Sequence, residues 1–167
     1  MTFDNLFYIF LLSAAPISEI RGSIIYGLAS VDHTLLNILT VYILSVIGNF
    51  LPVPFIMLLF RPIIRWLKRT KLFGRFARWL ERRTHRKASE LAEKESKIGA
   101  LALFVFVAIP LPTTGAWTGA MIASLLDLRF KYALPSILGG IMASGLIMTL
   151  LVTGVLNLGA LGELFGA

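Results

Sequence analysis

Pro110-Leu111-Pro112-Thr113-Thr114-Gly115-Ala116-Trp117-Thr118-Gly119 stands in the middle of residues 98–126, a run that carries no charge. The two prolines remove backbone donors where a spanning helix would need them, and threonines and glycines follow at once. The run therefore reads as a helix, a break and a return. At membrane depth such a backbone is tolerated only where protein or a water-filled cavity covers it. A second break lies near the start of the chain. Residues 6–29 are apolar apart from Pro16, Glu19, Arg21 and Gly22, and the uninterrupted part, residues 5–18, reaches about 21 Å as a helix against a hydrocarbon core of about 30 Å. It fits half a membrane.

Composition agrees. The 167 residues are 57% hydrophobic and 15% charged, with a mean hydropathy of +0.81, whereas soluble domains are about 45 to 50% apolar and about 25% charged. This is the composition of an integral membrane protein. Every Lys and Arg except Arg21, Arg129 and Lys131 lies within residues 61–97, so the formal charge of +7 belongs to one segment. That is the mark of a cytoplasmic loop under the positive-inside rule and argues against nucleic-acid binding. The chain has no cysteine, which excludes disulfides and thiolate metal sites. Residues 7–12 resemble a signal-peptide core, but Asp4 and the lack of a preceding Lys or Arg argue that the N-terminus is retained.

Two further runs lack charge. Residues 34–60 are long enough to span with tilt, with Gly48-Asn49, Pro52 and Pro54 expected to bend or loosen the helix. Residues 132–162 are a second span, rich in small residues. The order is thus broken, continuous, basic, broken, continuous, which predicts an all-α membrane fold built as an inverted repeat. Repeat one covers residues 5–60, the cytoplasmic linker 61–97 and repeat two 98–162, in one membrane domain over 1–167. Each repeat would hold a re-entrant hairpin and a spanning helix, with the hairpin tips meeting near the midplane. This order puts Asp4, Asp32 and Glu163 outside and Arg129 and Lys131 inside; four ordinary spanning helices would move those two cations outside.

Within the linker, Leu72, Phe73, Phe76, Trp79 and Leu80 recur at helical spacing among Arg75, Arg78, Arg82, Arg83 and Arg86. The pattern describes an amphipathic helix on anionic lipid head groups, the alternative being a solvated linker. Glu90 with Lys94 and Glu93 with Lys97 then support a helix running into the third stretch.

The chemistry is expected at the breaks. A charge at the bilayer centre costs about 2.5 to 3.5 kcal/mol, so Glu19 and Arg21 need partners or a purpose. On a regular helix residues at i and i+2 point apart, so either the backbone is unwound there or each has its own partner. A buried carboxyl takes up a proton readily, which suits Glu19 to proton coupling. Arginine stays charged and needs an anion: Glu19, Asp127 or a substrate phosphate or carboxylate. Thr113, Thr114, Trp117 and Thr118 supply neutral donors beside the break at Pro110 and Pro112, while Gly115 and Gly119 serve either a site or close helix packing. Gly139, Gly140, Ala143, Ser144 and Gly145 form a packing face suited also to dimerisation, and a homo-oligomer is expected. Asn49 is read as interhelical glue. His33 and His85 have no metal-ligand neighbours, and no nucleophile triad, phosphate loop or Walker lysine is present, so neither an enzyme, a cofactor nor a metal is expected.

Glu19-Ile20-Arg21-Gly22-Ser23-Ile24 and the Pro110–Gly119 stretch resemble the two signatures of the small multidrug export protein family, itself distantly similar to the DedA and VTT-domain membrane proteins. Thr113 stands where that family's Pro-Gly-Thr-Gly has glycine, and Ile25 where proline often follows the first motif. The resemblance covers nearly the whole chain and implies an inner-membrane transporter with two re-entrant hairpins. In that reading Glu19 carries the coupling proton, Arg21 binds the negative group of a small amphipathic or anionic substrate, and residues 113–118 form the opposite wall. A lipid flippase or scramblase of DedA type and a membrane-assembly protein are the alternatives.

Overall fold

The computed structural model describes residues 2–68, 89–111 and 114–164. The expected amphipathic helix over residues 72–86 lies outside them, as do Pro112 and Thr113. Every regular element among the described residues is a helix: α1 Phe3–Ala14, α2 Glu19–Ala29, α3 Leu35–Phe50, α4 Pro52–Lys68, α5 Ser89–Ala108, α6 Ala116–Leu125 and α7 Phe130–Leu164.

Proline sets the first boundary. Ala15 is extended, with φ −73° and ψ 139°, as the residue before a proline must be, and α1 stops at Ala14. In the same way α5 stops at Ala108, two residues before Pro110. Thr34 caps α3 by accepting a hydrogen bond from the Asn37 amide at 3.4 Å. The second apolar stretch does not break at Gly48-Asn49. Leu51 keeps helical dihedrals and α4 follows directly, its prolines 52 and 54 lying in the first turn, where a missing amide matters least. At the other turn the Leu128 amide bonds the Ala123 carbonyl and Asp127 takes a positive φ of 52°, a Schellman ending that delivers the chain into α7.

Glycines decide how the helices approach. A Cβ on Gly48 would overlap the Ser13 hydroxyl and lie 2.9 Å from the Phe10 carbonyl; a Cβ on Gly140 would lie 2.9 Å from the Phe104 carbonyl and 2.7 Å from Val107. Thus α1 lies on α3, and α5 lies on α7, through the same device. Ile9 and Val41 meet at Gly27, so α1 runs parallel to α3 and α2 returns between them. Likewise Leu128 meets Gly99 and Phe104 meets Gly139, so α5 runs parallel to α7. The two sets cross over: Ile20 at the start of α2 packs on Gly145 of α7, and Ser124 of α6 reaches the Met57 carbonyl of α4 at 3.5 Å. The Tyr42 hydroxyl donates to the Met142 carbonyl at 3.0 Å and ties α3 to α7. One core cluster runs through all of these contacts.

The solvent-facing pattern is inverted relative to a water-soluble bundle. Phe3, Leu35, Phe55, Leu101 and Leu150 are exposed, while Ser13, Glu19, Ser23, Ser45, Asn49, Ser124 and Ser144 are buried. Two helical stretches, Leu35–Phe60 and Phe130–Gly154, are long and apolar enough to cross a membrane. With lipid as the outer solvent, burial of apolar surface drives little helix association, and close packing at small residues must hold the bundle.

Gly48→Ala and Gly140→Ala are therefore expected to cost about 1 to 3 kcal/mol each, as overpacking does, measured by denaturation in detergent. Gly154→Ala, where an added Cβ meets nothing within 4 Å, should not destabilise.

Candidate functional site

The two breaks meet. Glu19 opens α2 with a positive φ of 47°, a left-handed conformation that costs a non-glycine residue about 1 to 2 kcal/mol. Its side chain is buried and crosses to the other half of the chain, where the carboxylate Oε1 accepts the Trp117 amide at 3.2 Å. The first amides of α6 are unsatisfied by that helix, and they carry the positive end of its dipole, so a carboxylate there is a cap in both senses. Gly115 is what makes room. A Cβ at this buried position would overlap the Glu19 carboxylate. Gly119 serves packing instead, since a Cβ there would lie 2.7 Å from Val107.

A reciprocal bond runs the other way. The indole Nε1 of Trp117 donates to the carbonyl of Ala14, the last residue of α1, at 3.1 Å. One residue of α6 thus satisfies the end of α1 with its side chain and holds Glu19 with its backbone. The loop before α6 is braced by Thr114, whose hydroxyl lies 2.7 Å from the Ile109 carbonyl and 2.9 Å from that of Leu111, and accepts the Leu111 amide at 3.2 Å.

Arg21 is loosely held. Its Nη2 lies 3.9 Å from Glu19 Oε2 and 3.5 Å from Thr114 Oγ1, both at the outer limit of such contacts, and its buried Nε has no partner among the described residues. The expected separation of Glu19 from Arg21 is thus overcome by the left-handed turn at Glu19, although the pair is not a bidentate fork. Asp127 is not Arg21's anion. It is exposed in the turn between α6 and α7, at the far end of α6 from Thr114 and Gly115.

Of the remaining candidates, Pro110 lies in the irregular stretch after α5, and Thr118 is half-buried in the first turn of α6. Two buried residues not picked out as a site stand near the same depth. Asn49 is 1% exposed, and neither its amide oxygen nor its amide nitrogen has a hydrogen-bond partner among the described residues; the same holds for the Ser45 hydroxyl one turn earlier. Among the described residues Asn49 thus makes none of the interhelical hydrogen bonds expected of it. It follows Gly48, which lies on Ser13 in the last turn of α1, and so stands at the depth of the break. An asparagine inside an uncharged span is a visible signal, but its unpaired amide is not.

Gly115→Ala is expected to displace the Glu19 carboxylate and lower stability by about 1 to 3 kcal/mol, the range for overpacking a close contact. Trp117→Phe should cost about 1 kcal/mol for the lost indole bond. A double-mutant cycle between Glu19→Gln and Trp117→Phe, read by thermal denaturation, should show coupling, because both hold the same junction.

No curated protein and no solved structure matches the chain, and the likeness to DedA and VTT-domain proteins is not shown. The family described as "Putative small multi-drug export protein" matches residues 19–147, a stretch that begins at Glu19 and includes both breaks and their junction. With its two apolar spans and buried polar core, the chain is a membrane protein, and it belongs to that export family.

Proposed function

We propose that the protein is a proton-coupled inner-membrane transporter whose two hairpins are re-entrant and whose halves, residues 5–60 and 98–162, form an inverted repeat. Support comes from the packing. In each half the first helix lies parallel to the last and the second returns, while α2 leans on α7 and α6 on α4 of the other half. The basic segment 61–97 then lies in the cytoplasm, as the positive-inside rule asks.

The observation that carries the reading is the Glu19 carboxylate seated on the amide end of α6. While ionised it attracts the helix end and Arg21 together and holds the hairpin tips in contact. Protonation removes the charge, weakens the hold on the Trp117 amide and leaves Arg21 without its only ionic partner among the described residues. A substrate carrying an anionic group can then take the place of the carboxylate beside Arg21, whose donors are underused. Asn49 and Ser45 add unpaired hydrogen-bonding groups at or near the depth of the break. Proton uptake and substrate binding thus bias one contact between two rigid halves, which is what alternating access needs.

Transport in proteoliposomes tests this, with a dye-type cation and an amphipathic anion as substrates, with and without a pH gradient. Glu19→Gln mimics the protonated acid and should abolish gradient-driven accumulation while exchange continues. Arg21→Lys should weaken substrate binding by about tenfold, the equivalent of 1.4 kcal/mol. A Glu19→Gln, Arg21→Gln double variant that regains full gradient-driven transport would remove the pair from the mechanism. Movement of labelled anionic lipid without any gradient would favour a scramblase instead.

The topology has its own check, because the chain has no native cysteine to interfere. Single cysteines at Asn5 and Asp32 should label together from outside intact cells, and one at Leu128 only from within. Labelling of Asn5 and Asp32 from opposite sides would rule out the first re-entrant hairpin.

A further inference from the structure

Away from the junction, a groove of about 450 Å³ runs between α5 and α7. The two helices are parallel here, so the groove has a direction: Lys97 of α5 and Lys131 of α7 stand at one end, and Phe104 and Gly139 at the other. Between them the walls are apolar, with Leu101 on one side and Pro135 on the other. None of the described lining residues is acidic. Gly139 keeps the deep end open, since a Cβ there would already touch the Phe104 ring at 3.2 Å. At the charged end the Lys131 ammonium lies 4.7 Å from the centre of the Tyr132 ring, a cation–π contact that holds it at the mouth.

We propose that this groove seats an anionic phospholipid, with the phosphate between Lys97 and Lys131 and an acyl chain along Leu101, Phe104 and Gly139. The inference rests on the membrane reading of the fold and not on the chemistry of Glu19 and Arg21. An apolar slot on the outside of a membrane bundle meets lipid in any case; the two ammonium groups, drawn from different helices to one end of the slot, make the choice of lipid. Each reaches the head-group zone on an apolar stem, and a basic pocket between helices at the cytoplasmic interface attracts phosphate head groups. Bound there, the lipid bridges α5 and α7.

The test uses the full chain in detergent, titrated with phosphatidylglycerol or phosphatidylcholine of identical chains and followed by native mass spectrometry and thermal denaturation. Wild type should bind phosphatidylglycerol about tenfold more tightly and gain the larger rise in Tm, a factor that corresponds to one step of 1.4 kcal/mol. Lys97→Gln with Lys131→Gln should bring the two lipids to equal affinity. Arg82→Gln with Arg83→Gln removes the same charge from the basic linker and should leave the preference intact. Ser136→Trp, which fills the groove and keeps both lysines, should weaken both lipids, and glycerol phosphate without chains should not raise Tm. A preference that survives the lysine pair, or falls equally with the arginine pair, overturns the site. Glu19→Gln should keep the lipid preference, so failure of the transport reading and failure of the lipid site are separable.

Discussion

A carboxylate that belongs to one half of the chain ends a helix that belongs to the other, and the arrangement of the two halves follows from it. Glu19 is buried, so it must be hydrogen-bonded, and the amide end of α6 offers it neutral N–H donors together with the positive end of a helix dipole. Fulfilling that need fixes several things at once. The backbone at Glu19 turns left-handed to aim the side chain, Gly115 gives up a side chain to admit it, and Trp117 is brought near enough to Ala14 to satisfy the end of α1. Neither tip is complete alone. Each supplies what the other's helix end lacks.

The rest of the bundle is organised so that the tips can meet. In lipid the helices gain little from hiding apolar surface, and backbones must come close enough for dispersion and short polar contacts to matter. Gly48 and Gly140 allow that on the two long helices, against equivalent turns of α1 and α5. Serines and threonines in the interior return their hydroxyls to the preceding turn, as Ser23 does to Ile20 and Thr149 to Gly145, so they occupy little space and leave few demands. Against that background the buried atoms of Asn49, Ser45 and Arg21 that have no hydrogen-bond partner among the described residues stand out.

What the sequence made legible is what local rules decide. Pro110 marked the end of α5, and the lack of charge in residues 34–60 and 132–162 marked the two long helices, whereas the first stretch, read as continuous to residue 18, ends as α1 at Ala14 because Ala15 before Pro16 is extended. Two local expectations left the outcome to the backbone. The second apolar stretch passes from α3 to α4 at Leu51, directly before Pro52, while Gly48-Asn49 stay inside α3 with Gly48 as a contact surface for α1. Glu19 and Arg21 approach each other because the first of them leaves helical geometry, an option the spacing rule allowed without choosing. The Glu19–Trp117 bond was beyond reach: it joins residues 98 apart in the chain, and nothing in either motif names the other.

The left-handed turn at Glu19 carries a further consequence for how the junction responds to charge. A strained residue stays strained only while the contacts it makes exceed the cost, here about 1 to 2 kcal/mol. The carboxylate's bond to α6 is worth most when ionised, so the strain and the contact depend on the same proton. Neutralising the carboxyl would reduce the reason for the left-handed turn and for the close seat on Gly115 together, and a relaxed turn would carry Arg21, two residues on, with it. In the proposed mechanism, loss of that one charge would act on the cap of α6 and on Arg21 together without any long-range relay, because both are attached to one short stretch of backbone.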